Sequence, residues 1–156
     1  MKLFTTAFTM LLFISCIPAK YNKTIKLNIM STSDYCGGAK PSDDIIDELN
    51  TPKPFNGTIY IHTNPERRDK GVAKKIKNGE GTITLPIMGI TDLVFFQYPA
   101  MNIKKLEKNG ASAIKENECE IRRNFQRLDM INVDTETKEV STNIHLTCDP
   151  CSEPKP

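Results

Sequence analysis

Four cysteines, Cys36, Cys119, Cys148 and Cys151, lie downstream of an N-terminal apolar leader. Together these two features constrain the fold more than any local pattern does. The leader runs from Leu3 to Ile14 behind a single positive charge, Lys2. It is shorter than the ~20 residues needed to span a bilayer and reads as a secretion signal. A chain so addressed leaves the reducing cytosol, and an even set of cysteines then forms disulfides by default. Four cysteines allow three pairings, and the sequence does not choose among them. We expect two bridges, which remove several kcal/mol of denatured-state entropy in the chain-entropy account.

The leader ends in Phe13-Ile14-Ser15-Cys16. This order of two apolar residues, a small residue and cysteine resembles the lipobox of bacterial lipoproteins, although Phe13 stands where Leu is usual. The resemblance implies a signal peptide over residues 1–15, lipidation at Cys16 and a lipidated tether over 16–22. Two acyl chains suffice for stable anchoring, so the expected location is the cell envelope, with the membrane as first partner. The rival reading is an ordinary signal peptide cut near Ala19 and a secreted protein.

About 140 residues remain after the leader, which fits one domain with one hydrophobic core. We place that domain at 23–148, followed by a proline-rich tail at 149–156. The formal charge of +2 includes Lys2, and cationic and anionic residues are interspersed, so nothing points to nucleic acid. The densest basic clusters, Arg67-Arg68-Asp69-Lys70 and Lys74-Lys75-Ile76-Lys77, read as a loop and a solvated strand face.

Alternation of apolar and polar residues predicts half-buried strands at Ile25–Met30, Thr58–Thr63 and Val140–Thr147, with Val140, Thr142, Ile144 and Leu146 sharing one face. Pro41, Asp43 and Asp44 suit a helix start, Ile45, Ile46 and Leu49 give an apolar stripe, and Pro52 stops it, so one short helix is expected near 42–49. Gly37 and Gly38 before it permit positive φ. A weaker strand at Val72–Lys77 is separated from an extended run at Thr82–Leu85 by Asn78-Gly79-Glu80-Gly81, whose Asn-Gly is a strong hairpin signal. Leu93–Tyr98 reads as a central strand. Cys119–Leu128 and Met130–Val133 read as further strands, and 99–117 as an irregular excursion. Short strands with turn-rich connections point to a mainly β chain, a single antiparallel β-sandwich of immunoglobulin-like or transthyretin-like kind. The absence of Trp disfavours a true immunoglobulin domain.

Two segments, Tyr35-Cys36-Gly37-Gly38-Ala39-Lys40-Pro41 with the later Pro52-Lys53-Pro54, and Asn78-Gly79-Glu80-Gly81-Thr82-Ile83-Thr84-Leu85-Pro86, resemble a group of small bacterial envelope and lipoprotein sequences that are similar to carboxypeptidase regulatory-like sandwiches. Here Pro86 leads into Ile87-Met88-Gly89 instead of that group's compact Pro-Gly-aromatic turn. The resemblance covers roughly residues 25–98 and 148–156. It implies a non-enzymatic fold and brings across no catalytic residue, cofactor or metal.

Chemical constellations are sparse. Cys148-Asp149-Pro150-Cys151 has the spacing of a thiol oxidoreductase motif but no helix start to depress a thiol pKa. With His145 and either Cys36 or Cys119 the same pair could offer a tetrahedral zinc set. His62 reads as a solvent-facing strand residue. The sequence therefore favours a binding or structural module whose partner is an envelope protein, a carbohydrate or a peptide, met through an edge strand or the loops at 64–71 and 99–117. An envelope redox or zinc protein using Cys148 and Cys151 is the alternative.

Overall fold

A computed structural model describes residues 21–67, 69–87, 89–102 and 117–152. The leader, Cys16, most of the tether, most of the 99–117 excursion and residues 153–156 lie outside the described residues. The described elements are β1 (Tyr21–Ser33), α1 (Asp43–Asn50), β2 (Lys53–Pro54), β3 (Gly57–His62), β4 (Val72–Ile76), β5 (Glu80–Ile87), β6 (Thr91–Phe96), α2 (Glu118–Phe125), β7 (Arg127–Val133) and β8 (Glu139–Leu146). The chain is mainly β, as expected, and its strands form two four-stranded sheets.

Strand β1 organises the first sheet. Its alternating Ile25, Leu27 and Ile29 are buried, and its backbone is paired along both edges. β5 and then β2 lie antiparallel along one edge, and β8 lies along the other. Pairing continues to Tyr21↔Ile87 and Asn22↔Pro86, so these two residues belong to the strand and not to the tether. The β1–β8 pairing is parallel, from Lys26↔Glu139 to Ser33↔Leu146, which corrects the expectation of a wholly antiparallel fold. Its cause is a change of sheet: β7 pairs with β6 in the second sheet, so the short β7–β8 connection is not a hairpin and imposes no antiparallel direction on β8.

The second sheet runs β4-β3-β6-β7, antiparallel throughout. One apolar cluster joins both sheets, drawing Ile25, Leu27 and Ile83 from the first and Ile59, Ile61, Leu93 and Phe95 from the second. Burial of each such side chain contributes about 1.5–3 kcal/mol. Within β6, all of Leu93 to Phe96 is buried. Leu93 and Phe95 enter the shared cluster, whereas Val94 and Phe96 stand outside it.

Three local expectations are also corrected. Asn78 and Gly79 both take positive φ, 49° and 79°, as a tight two-residue turn requires, yet the hairpin ends after the single bridge Lys77↔Glu80. β4 then pairs with β3 while β5 pairs with β1, so the turn carries the chain from one sheet to the other. Gly37 and Gly38 are not among the positive-φ residues; a Cβ on Gly37 would overlap the Tyr35 ring, so close approach is what glycine serves there. Cys119 to Phe125, expected in a strand, is helical. Glu118 and Glu120 occupy the first turn of α2, Arg122 and Arg123 the last, and Glu118–Arg122 and Glu120–Arg123 pair at 2.5 and 2.7 Å. This arrangement suits both the helix dipole and helical side-chain spacing.

Helix α1 forms where expected and ends at Thr51, whose N–H donates to Asp47 O at 3.0 Å. None of its residues is buried, and Ile45 and Ile46 are exposed. Its apolar stripe is therefore not part of the shared core.

Candidate functional site

The residues with the most chemistry gather where the chain is cross-linked. Cys36 follows the end of β1 and Cys148 the end of β8. Because these strands are parallel they finish side by side, with Asp34 N–H donating to Leu146 O at 2.9 Å. That places the two cysteines 5.5 Å apart between Cα atoms, as a disulfide. Cys119 in α2 is bonded to Cys151, with Cα atoms 5.1 Å apart. The four downstream cysteines thus form two pairs, and Cys148 and Cys151 are bonded to different partners.

Both cross-links lie in a wider hydrogen-bonded frame. The Gln97 amide, just beyond β6, donates to Thr147 O and accepts from Thr147 N–H at 3.1 and 3.3 Å, tying the second sheet to the end of β8. Arg123 of α2 pairs with Asp149 between the two C-terminal cysteines and lies 5.0 Å from the Tyr98 ring centroid. Its guanidinium donates hydrogen bonds that hold the Asp149 carboxyl below its ordinary pKa.

A second cluster covers the outer face of the second sheet. Ile59 and Ile61 point inward from β3, so His62 takes the opposite face. There it is 2% exposed, because the loop after β3 folds back over it. This corrects its placement in solvent. The His62 ring meets Phe96 edge-on at 5.5 Å, and its Nδ1–H donates to Asp69 Oδ1 at 2.8 Å. Asp69 Oδ2 accepts from Thr63 N–H at 2.9 Å. Arg67 lies 4.0 Å from the Phe96 ring centroid and donates to the carbonyls of Asn124 and Tyr98. Burial pushes the Arg67 pKa down to about 10, against the opposing charge of Asp69. Asn124, 4% exposed, also accepts from Met101 N–H at 2.7 Å. The loop at 64–71 is therefore fastened to β6 and α2 at several points.

Burial raises the Asp69 pKa, but hydrogen bonds from Thr63 and His62, with the charge of the ring, outweigh it and leave the carboxyl below its ordinary value. A carboxylate with a depressed folded pKa adds stability above its unfolded pKa and loses it as pH falls through the folded one. Asp69→Asn should accordingly be less stable than the parent at pH 6, with the gap closing as pH falls below 3.8, the ordinary value. Urea midpoints measured from pH 6 to pH 3 check this. A gap of constant size would contradict it.

Between this loop and the α2–β7 junction lies a groove of about 440 Å³ lined by Pro65, Phe96, Phe125, Gln126 and Arg127. Phe125 is 61% exposed. The groove thus sets an exposed aromatic ring beside the Arg127 cation.

The zinc set proposed from sequence does not assemble as such. His145 lies 2.9 Å from Thr32 Oγ1 through Nδ1 and 2.8 Å from Asp34 Oδ1 through Nε2, so both ring nitrogens are engaged. Cys119, Glu120 and Cys151 bring donor atoms within 4.8 Å of one another. Zinc needs thiolates, however, and these sulfurs are bonded to each other while Glu120 pairs with Arg123. The fastened loop and the α2 contribution had no period in the sequence to reveal them; the signal available was the opposed charges in α2. No protein-family model matches this sequence, and no curated protein or solved structure matches it significantly.

Proposed function

We propose that this chain is an exported, non-enzymatic β-sandwich module, anchored to the cell envelope through a lipid on Cys16, that works by binding a protein or peptide at its cross-linked end. The sandwich, of immunoglobulin-like or transthyretin-like class and related to carboxypeptidase regulatory-like domains, is part of this reading; one core shared by two sheets supports it. The observation that carries the functional reading is the pairing of Cys148 and Cys151 with partners on other elements. A redox dithiol cycles between its own two sulfurs, whereas these four brace the frame on which the Phe125 groove sits.

Thiol labelling and intact mass of protein from the membrane fraction test the reading. It predicts no alkylation of the native protein, four cysteines labelled after denaturation and reduction, and a diacylglyceryl mass on a chain beginning at Cys16. A fast-reacting native thiol would overturn the binding reading in favour of redox chemistry. An unacylated chain starting near residue 20 would overturn the anchor.

A further inference from the structure

A cleft of about 600 Å³ opens over the seam between β4 and β5, and its walls bring together cations that are far apart in sequence. Lys74 and Lys75 come from β4, Lys77 from the turn that follows, and Lys26 from β1. The topology explains the convergence. After the Lys77↔Glu80 bridge the two strands part into different sheets. Gly81, opposite Leu27 in β5, lets β4 pass close by: a Cβ there would overlap Ile76 and approach Lys74 Cε to 3.8 Å. Lys26 points outward because Ile25 and Leu27 point into the core.

Three cations elsewhere are paired with carboxylates: Lys53 with Glu48, Arg122 with Glu118, and Arg123 with Glu120 and Asp149. Among the described residues no carboxylate pairs with the four lysines of the cleft. Two carboxylates share the lining, those of Glu80 and Glu139, and the Glu139 side chain accepts a hydrogen bond from Asn28. The cleft is therefore locally cationic in a chain whose net formal charge is only +2.

Lysines on an edge strand also discourage pairing with another chain, and Lys75 is sufficiently explained in that way. Lys26 is not. Its strand is paired on both sides at that position, with Thr82 and Glu139, so no edge needs protecting there. Lysine ammonium groups act as point charges without the planar fork that suits bidentate phosphate recognition. None of the lining residues is aromatic, so the cleft offers no platform for stacking bases. What it offers instead is spaced cations beside the Asn28 amide, the Thr82 hydroxyl and two carboxylates, which together match anionic groups and hydroxyls on one extended ligand.

We propose that this cleft binds a stretch of acidic polysaccharide, its carboxylate or sulfate groups on the lysines and its hydroxyls on Asn28, Thr82 and the glutamates. The proposal adds a second site to the binding-module reading and rests on that reading only for the setting outside the cytosol.

Titration calorimetry of the full oxidised protein with size-defined heparin and polygalacturonate oligosaccharides tests it. At least one oligosaccharide should bind, more weakly as salt rises, and Lys26→Gln/Lys74→Gln should weaken it at least tenfold with an unchanged unfolding midpoint. Lys53→Gln/Lys138→Gln, with the same charge change outside the cleft, should leave affinity within twofold. No binding of either oligosaccharide, equal loss in both variants, or equal affinity for single-stranded RNA or anionic vesicles would overturn the site. Native-thiol reactivity is independent of this result, so failure of the cleft and failure of the redox-inert reading are told apart.

Discussion

Replacing Cys36 and Cys148 with serine should lower the stability of the folded chain by about 4–5 kcal/mol, the largest effect expected from any single pair of residues here. The bridge spans 112 residues. In the chain-entropy account the denatured ensemble gains nearly the full freedom of that loop when it is cut. Cys148 lies inside the loop closed by Cys119–Cys151, which shortens the path around the remaining chain only slightly, and the dependence on loop length is logarithmic. Removing Cys119–Cys151, with a separation of 32, should cost less, about 3–4 kcal/mol. A domain of this size has only about 5–15 kcal/mol in total, so the first variant should be largely unfolded at modest urea while the second keeps a cooperative transition. Urea titration of both under oxidising conditions checks the order. Equal losses, or a loss below about 1 kcal/mol for Cys36–Cys148, would show that the bridges do not carry the stability assigned to them.

Gly71→Ala should be the most damaging single methyl addition. Gly71 holds φ at +60°, a region that costs a residue with a Cβ about 1–2 kcal/mol. The new carbon would also overlap the buried His62 ring, and overpacking adds about 1–3 kcal/mol. A total loss of about 2–5 kcal/mol follows. The two causes separate in a double-mutant cycle. In a His62→Ala background the overlap disappears and only the backbone part, about 1–2 kcal/mol, should remain. The same loss in both backgrounds would mean that the loop does not pack on His62 as described.

How far the sequence disclosed this arrangement depended on the range of the interactions involved. Ile25, Leu27 and Ile29, and again Val140 and Ile144, announce half-buried strands because alternation is a local record of one wet and one dry face. The start of α1 at Asp43 was equally visible in its acidic first turn and flanking prolines. Pairing between sheets left no such record. Asn78-Gly79 marks the turn locally, but two positive-φ residues dictate only the reversal and not how long the strands stay together. Parity placed His62 on the outer face correctly. Its burial comes from a loop that returns through Asp69 and Gly71, and no period in the sequence encodes a return. Helix α2 carries few apolar residues to mark a buried stripe; opposed charges at helical spacing, Glu118 with Arg122, are its legible sign. Cysteine pairing was open among three choices and was settled by the parallel β1–β8 contact that ends both strands together. Lysines 74, 75 and 77 looked like a solvated face since nothing local shows that Lys26 shares their cleft.

Rigid covalent ties between separate elements hold this fold together, and disulfide mapping tests them most directly. Non-reducing digestion of the native protein, with free thiols blocked beforehand, should yield one cross-linked peptide joining Cys36 to Cys148 and another joining Cys119 to Cys151. A peptide in which Cys148 is bonded to Cys151, or blocked free thiols at any of the four positions, would contradict it.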